Sequence, residues 1–147
     1  MCEQQVRRFR EPLQSKYAAG LIVLPLNTCY KYEPIGAYRR VDRAEGEDAP
    51  ITVNDFKSYA EMGVRPRRGV SENSATYFGC SFFTSCVELS NRLKLPKPGK
   101  KIISVVLRQE NGPISINEES THLDFWAYWD CPFEEIVAEA IYFEVKL

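Results

Sequence analysis

The sequence predicts an α+β fold: a single globular domain over residues 1–147, with an antiparallel or mixed sheet and a few helices. Residues 102–107 form a nearly continuous apolar run, and residues 141–147 alternate apolar and polar side chains, as strands do. Residues 82–93 instead place apolar side chains at helical spacing. Because these elements do not alternate regularly along the chain, they favour the α+β class. A chain of 147 residues, 44% of them hydrophobic, can bury one core.

The predicted helices are bounded by caps and breakers. The first is interrupted near Pro12 and ends at Gly20, and the second is capped by Asn54 and ends at Gly63. The third begins close to Ser81, because Phe82 starts the helical spacing. In chain order, the expected helices cover residues 2–19, 55–62 and 82–93.

The predicted strands are short apolar or alternating runs bounded by turn residues. Asn111 and Gly112 form a hairpin-like turn before one of them. An acidic loop over residues 42–48 follows another, and residues 117–131 are read as an irregular aromatic segment. In chain order, the expected strands cover residues 21–24, 37–41, 102–107, 114–116 and 141–147.

Composition excludes several classes of function. A formal net charge of −1 argues against a general nucleic-acid binder. The longest apolar stretch, residues 18–26, is less than half a membrane span, so no membrane association is expected. Five widely spaced cysteines and one histidine do not form a zinc set, so no metal is expected, and reduced thiols favour a cytoplasmic location. The sequence also lacks the glycine-rich phosphate loops and the hydrolase motifs.

Three separated patches carry a resemblance to a known family. They are Tyr38-Arg39, then the run from Ser81 to Ser85, and finally residues 133–137 with their glutamates, followed by the strand-like residues 142–145. This order resembles the Arg–Ser–Glu order of ADP-ribosyltransferases, in which an aromatic–arginine strand comes first. A serine–threonine strand end then precedes a helix, and a glutamate lies before the last strands.

The resemblance implies that NAD is the substrate and that its nicotinamide–ribose bond is broken. Arg39 would then hold the dinucleotide phosphates, and Ser81, Thr84 and Ser85 would brace the pocket. Glu135 would be the catalytic carboxylate, acting together with Arg39 and Ser81. The chemistry is reasonable, because a carboxylate stabilises positive charge that develops on the ribose and a guanidinium binds phosphate in a bidentate way.

Two alternatives remain open. Cys80 just before a helix and His122 later in the chain could form the nucleophile and base of an amidase-like hydrolase, with Asp124 or Asp130 orienting the imidazole. The protein could instead be a non-enzymatic interaction module of a regulatory, defence-associated or toxin-neutralising kind, with a protein partner. Its surface would then come from an arginine cluster or from the aromatic residues 122–129, which otherwise fill the core.

Overall fold

The structure, a computed structural model, describes residues 7–43, 49–95 and 97–143 and confirms the α+β class. Its six strands form one sheet in which every pairing is antiparallel, in the order β4-β5-β2-β1-β3-β6. The strands are β1 (Ile35–Asp42), β2 (Cys80–Phe83), β3 (Lys100–Leu107), β4 (Ile114–Ile116), β5 (His122–Phe125) and β6 (Ile141–Phe143). The helices are α1 (Leu13–Ala18), α2 (Tyr59–Met62), α3 (Ala75–Phe78), α4 (Cys86–Leu93) and α5 (Phe133–Glu139), with a 3-10 helix at Val53–Phe56.

The larger core covers one face of the sheet. Strand β3 directs Ile103, Val105 and Leu107 to this face, because alternate residues of a strand share a side. The same face carries Cys80 and Phe82 of β2 and the odd-numbered residues of β5. Helix α5 and the 3-10 helix cover it. The opposite face therefore receives the even-numbered residues of β5 and the odd-numbered residues of β2.

A second core lies around the indole of Trp126, which is 1% exposed. Its Nε1 donates to the Ala75 carbonyl oxygen at 2.9 Å, so the start of α3 is tied to the chain that follows β5. Gly79 packs directly against this ring, since a Cβ there would lie 2.9 Å from Nε1. The contact fixes the position of α3 above the sheet.

Several element boundaries differ from the sequence prediction. Residues 80–83 form β2, and the helix begins at Cys86 after the Ser85 N-cap, so the prediction of a helix starting near Ser81 was wrong. Phe82 is four residues before Cys86, as on one face of a helix, but its burial in the core of the sheet decides that it belongs to a strand. Strand β5 and helix α5 were not predicted.

Elements in the first half of the chain also differ from the sequence prediction. In the N-terminal region only residues 13–18 of the described chain are α-helical, and residues 21–24 are not a strand. The predicted 55–62 helix is two short helices, capped by Thr52 and Ser58 rather than by Asn54. Gly63 ends the second in the left-handed conformation, as predicted.

The Asn111-Gly112 turn does not join paired strands. Strand β3 pairs with β1 and β6, whereas β4 pairs with β5, so the chain crosses to the far edge of the sheet. Residues 2–6, most of the acidic loop (44–48) and residues 144–147 lie outside the described residues. In the part of the chain that is described, no helix combines the length and the apolar character needed to cross a membrane.

Candidate functional site

The sheet opens between its two central strands. Strands β1 and β2 share a single cross-strand pair, Tyr38 with Phe83, and Arg39 extends into the space beyond it. Its Nη1 donates to the Ser81 carbonyl oxygen at 2.7 Å, and its Nε donates to the Asp55 carbonyl oxygen at 2.7 Å. A longer contact of 3.5 Å joins Nη2 to the Lys57 carbonyl oxygen. The guanidinium therefore bridges β2 and the C-terminal end of the 3-10 helix.

A groove with a volume of about 330 Å³ lies at this opening, and we call it the split groove. Its volume is at the lower end of the range for small-molecule sites. Helix α4 forms one side through Leu89 and Leu93, and α3 contributes Thr76 and Tyr77. The polar groups that line it include Arg39, Arg40, Lys57, Arg67, Asp42 and Ser81.

Some charged side chains of the split groove form ion pairs, and others do not. Asp55 forms a bidentate ion pair with Arg43 at 2.9 and 3.0 Å. Asp42 accepts from Lys100 at 3.0 Å and pairs with Arg40 at 3.4 Å. By contrast, Lys57 and Arg67 form no ion pair with any other described residue. The groove therefore has an excess of positive charge.

Next to the groove, a row of polar side chains crosses three strands. Ser115 of β4 lies opposite Asp124 of β5, and Asp124 lies opposite Ser81 of β2. All three are on the face away from the larger core, because their neighbours along each strand belong to that core. Thr76 donates from its Oγ1 to Asp124 Oδ2 at 3.1 Å. The row places a carboxylate between two serines at the edge of the split groove.

Three buried polar atoms in this region have no hydrogen-bond partner: Thr121 Oγ1, His122 Nε2 and Asp124 Oδ1. Among the described residues, no other buried side-chain nitrogen or oxygen atom lacks a hydrogen-bond partner. His122 Nε2 lies 3.8 Å from Asp124 Oδ1, which is too far for a hydrogen bond. Buried polar atoms are normally satisfied, so their concentration in four consecutive residues is typical of a functional site.

Burial changes the acidity of both ionisable groups in this cluster. It raises the pKa of the Asp124 carboxyl, although His122, the Thr76 hydroxyl, Arg67 and Ser81 act in the opposite direction. It lowers the pKa of the His122 imidazole; Asp124 opposes this effect, whereas Arg67 and Arg92 add to it. The imidazole is therefore neutral at pH 7.

Two residues of this cluster, His122 and Asp124, line a wider and more open depression of about 780 Å³, which we call the β5 depression. Thr76 lines both this depression and the split groove, so the two adjoin. The rest of its lining consists of neutral polar residues, two glutamates and one apolar residue: Asn27, Ser115, Asn117, Glu118, Glu119 and Ile116.

The structure brings together only some of the residues that the family resemblance selected. Arg39 and Ser81 both line the split groove. Thr84 and Ser85 do not: the Thr84 backbone N–H donates to Thr121 at 2.9 Å, and Ser85 caps α4 by accepting from the Glu88 N–H. Glu135 is exposed on α5, which packs on the larger core through Phe133 and Ile136, and it does not line the groove.

The cysteine–histidine pair of the hydrolase hypothesis is not assembled. Cys80 is 4% exposed and points into the larger core, whereas His122 lies on the opposite face of the sheet. Burial also raises the pKa of the Cys80 thiol to about 11, which disfavours the thiolate. Cys80 moreover begins a strand and not a helix.

The aromatic segment mostly fills the cores. Phe125, Trp126 and Tyr128 are each at most 3% exposed, while Trp129 is 62% exposed. In the arginine cluster formed by Arg39, Arg40 and Arg43, two members are likewise used within the fold: Arg39 donates to backbone carbonyls, and Arg43 forms the ion pair with Asp55. A stacking or docking surface made of the whole aromatic segment is therefore excluded.

Sequence reasoning missed the role of Asp124 as the central carboxylate of the site. The hydrolase hypothesis uses Asp124 only as a residue that orients His122. The signal in the sequence is weak: alternation over residues 122–125 puts polar side chains on one face, but only pairing with β2 and β4 reveals their neighbours. No group of three or more metal-ligating side chains occurs among the residues that the structure describes.

Comparisons with protein-family models, with curated proteins and with solved structures find no match to this chain.

Proposed function

We propose that this protein is an NAD-dependent, ADP-ribosyltransferase-like enzyme that breaks the nicotinamide–ribose bond where the split groove meets the polar row. The observation that supports it best is the Asp124 carboxylate: it is buried, its Oδ1 is unpartnered, and Ser81 of the groove lies directly opposite. A buried carboxylate is suited to stabilising a cation that forms only during the reaction.

The excess positive charge of the split groove fits the diphosphate of a dinucleotide. Arg40, Lys57 and Arg67 line the groove, and two of them have no ion pair within the described chain. Arginine and lysine side chains bind phosphate oxygens through charge-assisted hydrogen bonds. In this proposal Arg39 is the brace that keeps the sheet open, because its guanidinium is bonded to backbone carbonyls.

The carboxylate role belongs to Asp124 and not to Glu135. As the bond to nicotinamide lengthens, positive charge grows on the ribose, and the field of a carboxylate in a low-dielectric site favours it. Ser81 lines the groove and lies opposite Asp124, and in this proposal its hydroxyl binds a ribose hydroxyl. Glu135 is exposed to solvent outside the groove, where water screens its charge.

The test compares Asp124→Asn with Glu135→Gln as a matched control. Both substitutions remove one carboxylate charge and keep the size of the side chain. Nicotinamide release from NAD, measured by chromatography, is expected to fall roughly 100-fold or more in D124N, the scale of lost electrostatic stabilisation in other enzymes. E135Q is expected to retain wild-type turnover.

Two results would overturn the proposal. One is the absence of nicotinamide release by the wild-type protein, together with no rise in its melting temperature at millimolar NAD. The other is full activity of D124N. Melting curves of both variants show whether any loss of turnover comes from unfolding.

A further inference from the structure

His122 stands between the two depressions of the site. It lines the β5 depression, and its ring contacts Phe83 of the split groove edge-on, with the centroids 5.3 Å apart. It shares a face of β5 with Asp124, two residues further along the strand. Its side chain is 21% exposed, so part of the ring is accessible from the β5 depression and the rest is buried.

The two ring nitrogens of His122 have different surroundings. Nε2 is buried and faces Asp124 Oδ1 at 3.8 Å, whereas Nδ1 forms no hydrogen bond with a described residue. A proton on Nε2 is favoured by the adjacent carboxylate, and the lone pair then lies on Nδ1. The charged groups that act on the ring are Asp124 on β5, Arg92 on α4 and Arg67 in the loop after α2, and Glu118 and Glu119 line the same depression. Burial and the two arginines oppose protonation of the ring, so its uncharged form, with a free lone pair on Nδ1, is favoured.

We propose that His122 is the general base of the reaction and that it activates an uncharged hydroxyl acceptor that enters through the β5 depression. This inference rests on the proposed function, because it concerns the second half of the same transfer. The neutral lining groups Asn27, Ser115 and Asn117 can orient a hydroxyl by hydrogen bonds. An ammonium or guanidinium acceptor would have to lose a proton before it attacks, and a weakly basic imidazole is a poor acceptor for that proton.

The step balances without any further reactant. The bond between ribose C1′ and the nicotinamide nitrogen breaks, and its electron pair leaves with nicotinamide. The acceptor oxygen forms the new bond to C1′, and its proton moves to Nδ1 of His122 and then to solvent. Nothing is oxidised or reduced. Water is the smallest acceptor of this class, so hydrolysis and transfer share one base.

The test measures NAD cleavage from pH 5 to 8 with methanol or methylamine as the acceptor probe. For the wild-type protein we expect methyl glycoside and hydrolysis product, little methylamine adduct, and a rate that falls at low pH as His122 becomes protonated. In His122→Gln the rate should fall roughly 100-fold or more, and the acidic decline should disappear. Glu135→Gln, which lies outside both depressions, is the control and should keep the wild-type pH profile.

His122→Gly provides a readout that a purely structural role would not produce. Added imidazole should restore at least about a tenth of the lost rate, and substituted imidazoles should shift the acidic decline according to their own pKa values. An unchanged pH profile in H122Q, lack of rescue in a folded H122G, or methylamine as the preferred acceptor would each overturn the inference alone. Absence of NAD cleavage by the wild-type protein would overturn the proposed function with it.

Discussion

Replacing Arg39 by methionine tests whether this residue braces the split sheet. The substitution keeps an unbranched apolar stem and removes the guanidinium, so the carbonyls of Asp55 and Ser81 lose their donors at 2.7 Å. A hydrogen bond to a charged group contributes about 1.5–3 kcal/mol. The groove is open to water, which can hydrate the carbonyls, so the lower figure applies to each bond. The long contact to Lys57 adds little.

The expected loss for Arg39→Met is therefore about 3 kcal/mol in the free energy of unfolding. For a chain of this length that corresponds to a fall in melting temperature of about 6–12 °C. Urea denaturation followed by circular dichroism measures the first quantity, and a thermal melt measures the second.

Arg40→Met is the matched control, since it removes the same side chain one residue along β1. Arg40 is 37% exposed and has one ion pair, to Asp42 at 3.4 Å, so about 0–1 kcal/mol should be lost. For NAD binding we expect the opposite order of the two variants. R40M should lower the affinity for NAD more than R39M does, because it removes a direct contact with phosphate. Equal stabilities for R39M and R40M would refute the assignment of Arg39 as the brace.

Three further predictions concern packing, pH and thiol reactivity. Gly79→Ala should cost about 1–3 kcal/mol in the free energy of unfolding, because the new methyl group meets the buried Trp126 indole; urea denaturation measures this. The pKa of His122 is lowered in the folded protein, so the unfolded chain binds the proton more readily. The free energy of unfolding of the wild-type protein should therefore decrease as the pH falls from about 6.5 to the pKa of the folded state. His122→Gln should lose less stability in that window, and an equal loss would contradict the assignment. Native Cys80 should resist alkylation while exposed Cys29 reacts, and mass spectrometry of the labelled peptides distinguishes the two.

The elements that the sequence predicts correctly are those in which the local pattern of residues matches the burial that the fold gives them. The apolar run of β3 is an interior strand of the sheet, paired with β1 over its whole length and with β6 on the other side, and its burial follows from composition alone. Helix α4 was found by its spacing, but its start was misplaced. Phe82 has a helical interval to Cys86, and only the sheet core decides that it belongs to a strand.

The site was less predictable, because it depends on pairing between distant strands. The position of Ser81 opposite Asp124 follows from the β2–β5 register, which joins residues about forty positions apart. Three carbonyls from two other segments surround Arg39, and nothing local to β1 indicates them. Glu135 was selected by its place in a short motif, and a motif contains no information on which face of a helix meets solvent.

The narrow junction at Tyr38 and Phe83 divides the sheet into two sets of three strands each. Strands β4, β5 and β2 carry the carboxylate, the imidazole and the serines, whereas β1 and the loops beside it carry most of the cations. A ligand that spans the junction would tie the two sets together more firmly than their own backbone pairing does. Saturation with such a ligand should then slow amide hydrogen exchange in β1 and β2 together, on both sides of the opening, more than at the outer edges of the sheet.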